Sequence, residues 1–135
     1  MANALYESAR QKFLEGGIAW LAHDIKCILV DTADYTVNLS THEFLSSVAG
    51  GAIVATSSNL TGKTSTGGVA DAADVTFTAV TGDVSEAIII YKDTGSAATS
   101  PLIAYIDTAT GLPFTPSGVD ITVGWSGGSN KIFKL

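Results

Sequence analysis

Five consecutive apolar residues, Ala87-Ile88-Ile89-Ile90-Tyr91, would put hydrophobic side chains on both faces of any extended segment they form. Successive side chains of a strand point to opposite sides of its sheet, so such a run is stable only where both faces are covered. The β-branched residues favour a strand over a helix. This segment is therefore expected near the centre of a sheet, with further layers packed above and below it.

Shorter segments with a period of two surround it. In residues 24–30, Ile25, Cys27 and Leu29 share one face and Ile28 and Val30 the other. In residues 74–80, Val75, Phe77 and Ala79 alternate with Thr76 and Thr78, and Val119, Ile121, Val123 and Trp125 form a one-sided strand. Further strands are expected at residues 18–21, 52–57 and 102–107, with a short edge strand at 63–66 inside a loop of Gly, Ser, Thr, Ala and Asp. Ser126-Gly-Gly-Ser129 predicts a hairpin closing onto residues 131–135, whose strand pattern asks to be tied into a sheet. Residues 41–48 suit a short helix around Phe44 and Leu45. Turns are expected at Asp31-Thr-Ala-Asp34, Gly50-Gly51, Thr81-Gly82-Asp83 and Asp93-Thr-Gly95, with a crossover at Thr110-Gly-Leu-Pro-Phe-Thr-Pro116.

The N-terminus reads as a helix over residues 1–16. Asn3 can cap it, Glu7 suits its first turn, Leu5, Ala9 and Phe13 recur at four-residue spacing, and Gly16-Gly17 stops it. Arg10 and Lys12 lie toward the end where the helix dipole favours cations. The expectation is one all-β domain over residues 1–135. It comprises the N-terminal α-helix and, over residues 17–135, a β-sandwich or jelly-roll-like barrel of about eight strands.

Composition narrows the function. A 135-residue chain with 46% hydrophobic and 15% charged residues can bury a core without metal or disulfide. Its formal charge of −6 and its scattered basic residues argue against binding a nucleic acid. No apolar stretch approaches the roughly 20 residues that span a bilayer, and the first residues lack a signal-peptide pattern. Synthesis in a reducing host cytoplasm is expected. Cys27, the single cysteine, fits a buried structural thiol. Asn38-Leu-Ser40 and Asn59-Leu-Thr61 match glycosylation acceptors in form, but without a secretion signal they read as turns.

No catalytic set emerges. Leu60-Thr-Gly-Lys-Thr64 is similar to the end of a phosphate loop, but Ser57 stands where the earlier glycine belongs and Ser-Thr-Gly-Gly comes next in place of a helix. Asp24, Asp31, Asp34, Asp71, Asp74, Asp83 and Asp93 could offer oxygen ligands, but their spacing fits no calcium loop and acidic turns explain them. His23 and His42 lack zinc spacing, and no Gly-x-Ser-x-Gly elbow occurs. The aromatic residues are dispersed and form no base-stacking platform. No enzyme activity, metal or cofactor is expected.

Several stretches carry a likeness: Asn3-Ala-Leu-Tyr-Glu-Ser-Ala-Arg-Gln-Lys-Phe-Leu-Glu-Gly16, Leu29-Val-Asp-Thr-Ala-Asp-Tyr35, Asp74-Val-Thr-Phe-Thr-Ala79, Pro101-Leu-Ile-Ala-Tyr-Ile-Asp-Thr-Ala-Thr-Gly-Leu-Pro113, Asp120-Ile-Thr-Val123 and Lys131-Ile-Phe-Lys-Leu135. Together they cover nearly the whole chain and resemble small virion proteins of tailed bacteriophages, the capsid decoration or cement proteins. The resemblance implies a sandwich or jelly-roll-like subunit that assembles into a symmetric oligomer on the outside of the head. Its partners would be copies of itself and the major capsid protein.

Local three-fold positions on a capsid favour a homotrimer over a dimer. Leu5, Tyr6 and Phe13 of the helix and Leu112 and Phe114 of the Pro-bounded loop are the expected anchors at the oligomer or capsid interface. Two other classes fit a small β-domain of this kind. A tail or baseplate component would assemble in rings or tubes, and a carbohydrate-binding virion module would keep an aromatic-lined concave site, with Trp20 and Trp125 as its candidate residues.

Overall fold

The computed structural model describes residues 4–109, 111–125, 128–129 and 131–135. The apolar run lies where its pattern requires. Strand β6 (Ala87–Lys92) is the middle member of a five-stranded antiparallel sheet ordered β1-β7-β6-β2-β3, with β1 at Ala4–Leu5, β2 at Ile25–Val30, β3 at Ile53–Thr56 and β7 at Leu102–Ile106. Ile89 stands opposite Ile28 of β2 on one side and Tyr105 of β7 on the other. Ile88, Ile89 and Ile90 are all fully buried. Burying each is worth about 1.5–3 kcal/mol relative to exposure. This strand is the hydrophobic axis of the domain.

Two small antiparallel ribbons complete the β-structure. Strand β5 (Val75–Phe77) pairs with β8 (Ile121–Val123), and β4 (Val69–Ala70) pairs with β9 (Phe133–Lys134). Val75, Phe77, Ile121 and Val123 turn inward and join the same core cluster as the large sheet, while Thr76 and Thr122 face out and meet through their hydroxyls at 3.1 Å. Among the described residues the sheets are open, and the architecture is antiparallel β with one α-helix.

That helix, α1 (Glu7–Glu15), begins later than its spacing suggests. Asn3, the expected cap, lies outside the described residues. Ala4 and Leu5 pair with Tyr105 and Ala104 of β7, and the Tyr6 N–H donates to the Ile103 carbonyl at 3.0 Å. A backbone committed to a sheet ladder cannot also enter a helix, so Tyr6 becomes the N-cap in an extended conformation and makes no side-chain cap bond. The stop is as expected. Gly16 takes φ +81°, a left-handed value that L side chains rarely adopt, and the Gly17 N–H closes on the Lys12 carbonyl at 2.8 Å.

Four other expectations change. Residues 18–21 form no strand, because the His23 N–H donates to the Ala19 carbonyl at 2.9 Å and curls the segment into a turn that plugs Ile18 and Trp20 into the core. Residues 41–48 hold only a single 3-10 turn, Leu45–Ser47. The hairpin expected at Ser126-Gly-Gly-Ser129 has no counterpart in the pairing of its flanks, since β8 pairs with β5 and β9 with β4. Ser126 and Gly127 themselves lie outside the described residues. Val119 is exposed and precedes the strand it was expected to open.

Candidate interaction surface

Helix α1, the 19–22 turn and the C-terminal strand meet around one side chain. The Phe133 ring of β9 lies 5.8 Å from that of Phe13 on α1 and stands edge-on to Trp20 at 5.3 Å. Aromatic pairs in such geometries contribute about 0.5–1.5 kcal/mol beyond their buried area. The three segments are thereby clamped into one wall. Trp20 is fixed further by its indole N–H, which donates to the Asp71 carbonyl at 3.3 Å.

The wall encloses connected hollows. One, of about 330 Å³, is lined by Phe13, Trp20, Leu21, Ala70, Phe133 and Leu135 among others and is apolar. A neighbour of about 280 Å³ shares Phe13 and Leu135 and adds Leu5, Leu14, Arg10 and Lys134. A third hollow of about 420 Å³ shares Leu5, Arg10 and Lys134 and adds Lys131. Three leucines rim this surface in open solvent: Leu14 is 89% exposed, Leu21 57% and Leu135 60%. Large apolar side chains gathered beside a groove mark a contact surface, whereas isolated ones would carry no meaning.

Charge is unevenly spent around it. Of the seven basic residues, Lys12 pairs with Glu43, Lys26 with Asp93 at 2.9 Å, and Lys63 and Lys92 donate to the carbonyls of His23 and Gly17. Arg10, Lys131 and Lys134 form no ion pair among the described residues; Arg10 and Lys134 border the groove, and Lys131 lines the third hollow. The opposite charge collects beyond the far end of β2, where ligand oxygens of Asp31, Asp34 and Asp83 lie within 4.8 Å of one another. Asp31 is nearly buried and accepts the Ala33 N–H at 2.9 Å, the bond an acidic turn makes for itself. Asp34 and Asp83 are exposed, and Val84 beside Asp83 is 39% exposed.

The anchors expected from sequence are divided by the fold. Phe13 lines the groove half-buried, and Leu5 forms part of its floor at 6% exposure. Tyr6 is fully buried and belongs to the core, because its hydroxyl is held by Tyr35 at 2.9 Å. Leu112 and Phe114 lie apart from this groove, half-buried against the core. Phe114 exchanges both backbone hydrogen bonds with Ser85 at 2.8 and 2.9 Å, which holds its loop down at the entry to β6. Leu14, Leu21, Phe133 and Leu135 are additions. The legible hint was the adjacent Phe13-Leu14 pair, since a helix that buries one of two neighbours turns the other outward.

The side chains considered for chemistry are occupied structurally. His23 Nδ1 accepts the Ala19 N–H at 2.9 Å and braces its own turn. His42 Nδ1 lies 2.8 Å from the Tyr35 hydroxyl. Lys63 points at the His23 carbonyl at 2.6 Å, and burial lowers its pKa from the usual lysine value. Beyond Lys63 the chain makes a single 3-10 turn, Thr66–Gly68, with no helix N-terminus for a phosphate. Cys27 is fully buried, and burial pushes its thiol pKa up to about 12. The Trp125 indole N–H is tied to the Ala73 carbonyl at 3.0 Å. Among the described residues, no helix is long and apolar enough to cross a membrane.

Neither protein-family models nor curated protein sequences yield a match to the chain.

Proposed function

We propose that the protein is a capsid decoration, or cement, protein of a tailed bacteriophage. In this reading it binds the outside of the head as a symmetric oligomer, a homotrimer, and works through surface fit with no bond made or broken. The observation that carries the reading is the groove rimmed by Leu14, Leu21 and Leu135 on a scaffold whose central strand is buried on both faces. A rigid β-domain with one apolar contact surface suits a component that is glued to other proteins. The sequence resemblance supplies the virion and the head. The paired ribbon β5–β8, sharing its core with the large sheet, supports the sandwich-like form of the proposed subunit.

A DNA-filled head pushes outward on its shell. A protein that binds the assembled lattice in preference to loose subunits shifts the balance toward the intact shell by mass action, and small contacts repeated over many sites add up. The major capsid protein is the proposed partner. The deciding experiment images purified particles by cryo-electron microscopy with the protein present and deleted. Added density on the outer head surface and a lower rupture temperature of the deleted particles are expected. Density on the tail would move the protein to the baseplate class, and its absence from particles would remove the reading.

A further inference from the structure

We infer that the groove between α1 and β9 receives the acidic corner of a second copy of this chain, with Val84 entering between Leu5, Phe13 and Leu14 and with Asp34 and Asp83 facing Arg10 and Lys134. This rests on the oligomer part of the proposed function and names the surfaces that would form it. Of all possible occupants, the chain itself provides the matching one. Its groove has an apolar floor and two cations, Arg10 and Lys134, without ion-pair partners among the described residues, in a protein whose net charge is −6. Its corner has an exposed apolar residue, Val84, next to a crowded group of carboxylates.

Each half is unfavourable alone. Like charges held close repel, and exposed leucines around a groove order water. Joining the halves relieves both: the apolar contact supplies affinity, and the opposite charges supply register and steering. The groove belongs to α1, β1 and β9 at the β1 edge of the sheet, whereas Asp31 and Asp34 leave β2, next to the β3 edge. The two surfaces are therefore different, and the contact is head-to-tail. A head-to-tail contact builds a ring when its rotation closes, which is how a trimer with three equivalent interfaces arises.

The test uses the full chain and three variants: Arg10→Glu with Lys134→Glu, Asp34→Lys with Asp83→Lys, and the combination of all four. Molar mass is read by light scattering at low and at high salt, with thermal melts confirming that each variant is folded. Expected are an oligomeric wild type that loosens as salt rises, a fall of each two-site variant to the 13.8 kDa of one chain, and return of the oligomer in the combined variant. A monomeric wild type, two-site variants that keep the wild-type mass, or a combined variant that stays monomeric would overturn the inference. Imaging the same proteins on heads separates the two readings. Decoration by a protein whose mass ignores these charges ends the interface and leaves the function, while a charge-dependent ring absent from heads does the reverse.

Discussion

The hydroxyl of Tyr6 lies 2.9 Å from that of Tyr35, and Tyr35 in turn lies 2.8 Å from His42 Nδ1, so Tyr35 is the middle link of a chain that ties the start of α1 to the 35–42 loop. Position in this chain predicts unequal costs. Removing the Tyr6 hydroxyl leaves Tyr35 with His42, and Tyr6→Phe should cost about 1 kcal/mol. Removing the Tyr35 hydroxyl strands the fully buried Tyr6 hydroxyl with no partner, and Tyr35→Phe should cost roughly 1–3 kcal/mol. Urea unfolding of the two variants checks the order; equal losses would contradict it.

Alkaline pH should unfold the protein in one step. Burial raises the pKa of Tyr6, Tyr35, Tyr91 and Tyr105 above the ordinary 10.0, with Tyr91 reaching about 12, and raises Cys27 from 9.0 to about 12. Each group is neutral in both states below its ordinary value. Above it, the unfolded chain loses protons that the folded chain keeps, so stability falls as pH rises through 9 to 12. Phenolate absorbance should therefore stay low until the fold is lost and then rise together with the loss of ellipticity. A gradual phenolate signal from folded protein would contradict the burial.

Cys27 should be inert while the fold persists. Its Sγ is fully buried 3.5 Å from Ser57 Oγ, and a thiol held protonated is a poor nucleophile. Labelling by a water-soluble disulfide reagent should therefore wait for unfolding and rise steeply across the urea transition. Rapid labelling of native protein would show that the β2–β6 region opens locally.

The features legible in the sequence were local. Ile88-Ile89-Ile90 announced a doubly covered strand because five neighbouring apolar residues leave no polar face, and Gly16 announced the helix end because the left-handed cap needs glycine. Those that escaped depended on distant partners. The start of α1 is hidden because β7 captures Ala4 and Leu5, and the partner of β9 is not local because Val69–Ala70 pairs with it in place of the sequence neighbour β8. The groove was illegible as a unit for the same reason. Phe13, Trp20 and Phe133 come from three segments that only the tertiary fold brings together.

Gly111 should resist any side chain. A Cβ there would lie 2.5 Å from Phe114 Cε1 and 2.7 Å from its Cζ, and the backbone sits at φ +96°. Gly111→Ala must both strain the backbone and push the ring off the loop, at a cost of about 1–3 kcal/mol. Gly50→Ala is the control, since a Cβ there meets nothing within 4 Å and the backbone is not left-handed. A thermal melt of each variant decides it, and equal melting temperatures would show that the Phe114 ring yields freely.

Leu14 and Leu21 separate contact from folding. Both are largely exposed, so Leu14→Ser and Leu21→Ser remove little buried surface, and each should change stability by no more than about 0.5 kcal/mol. The same changes place a hydroxyl where a partner's apolar surface would sit, and a desolvated polar group without a partner costs roughly 1–3 kcal/mol. Each should therefore weaken assembly by about ten-fold or more, measured by sedimentation at falling protein concentration. Val119→Ser, at an exposed apolar position outside the groove, should leave assembly unchanged. If all three variants assemble like the wild type, the groove is not where this protein meets its neighbours.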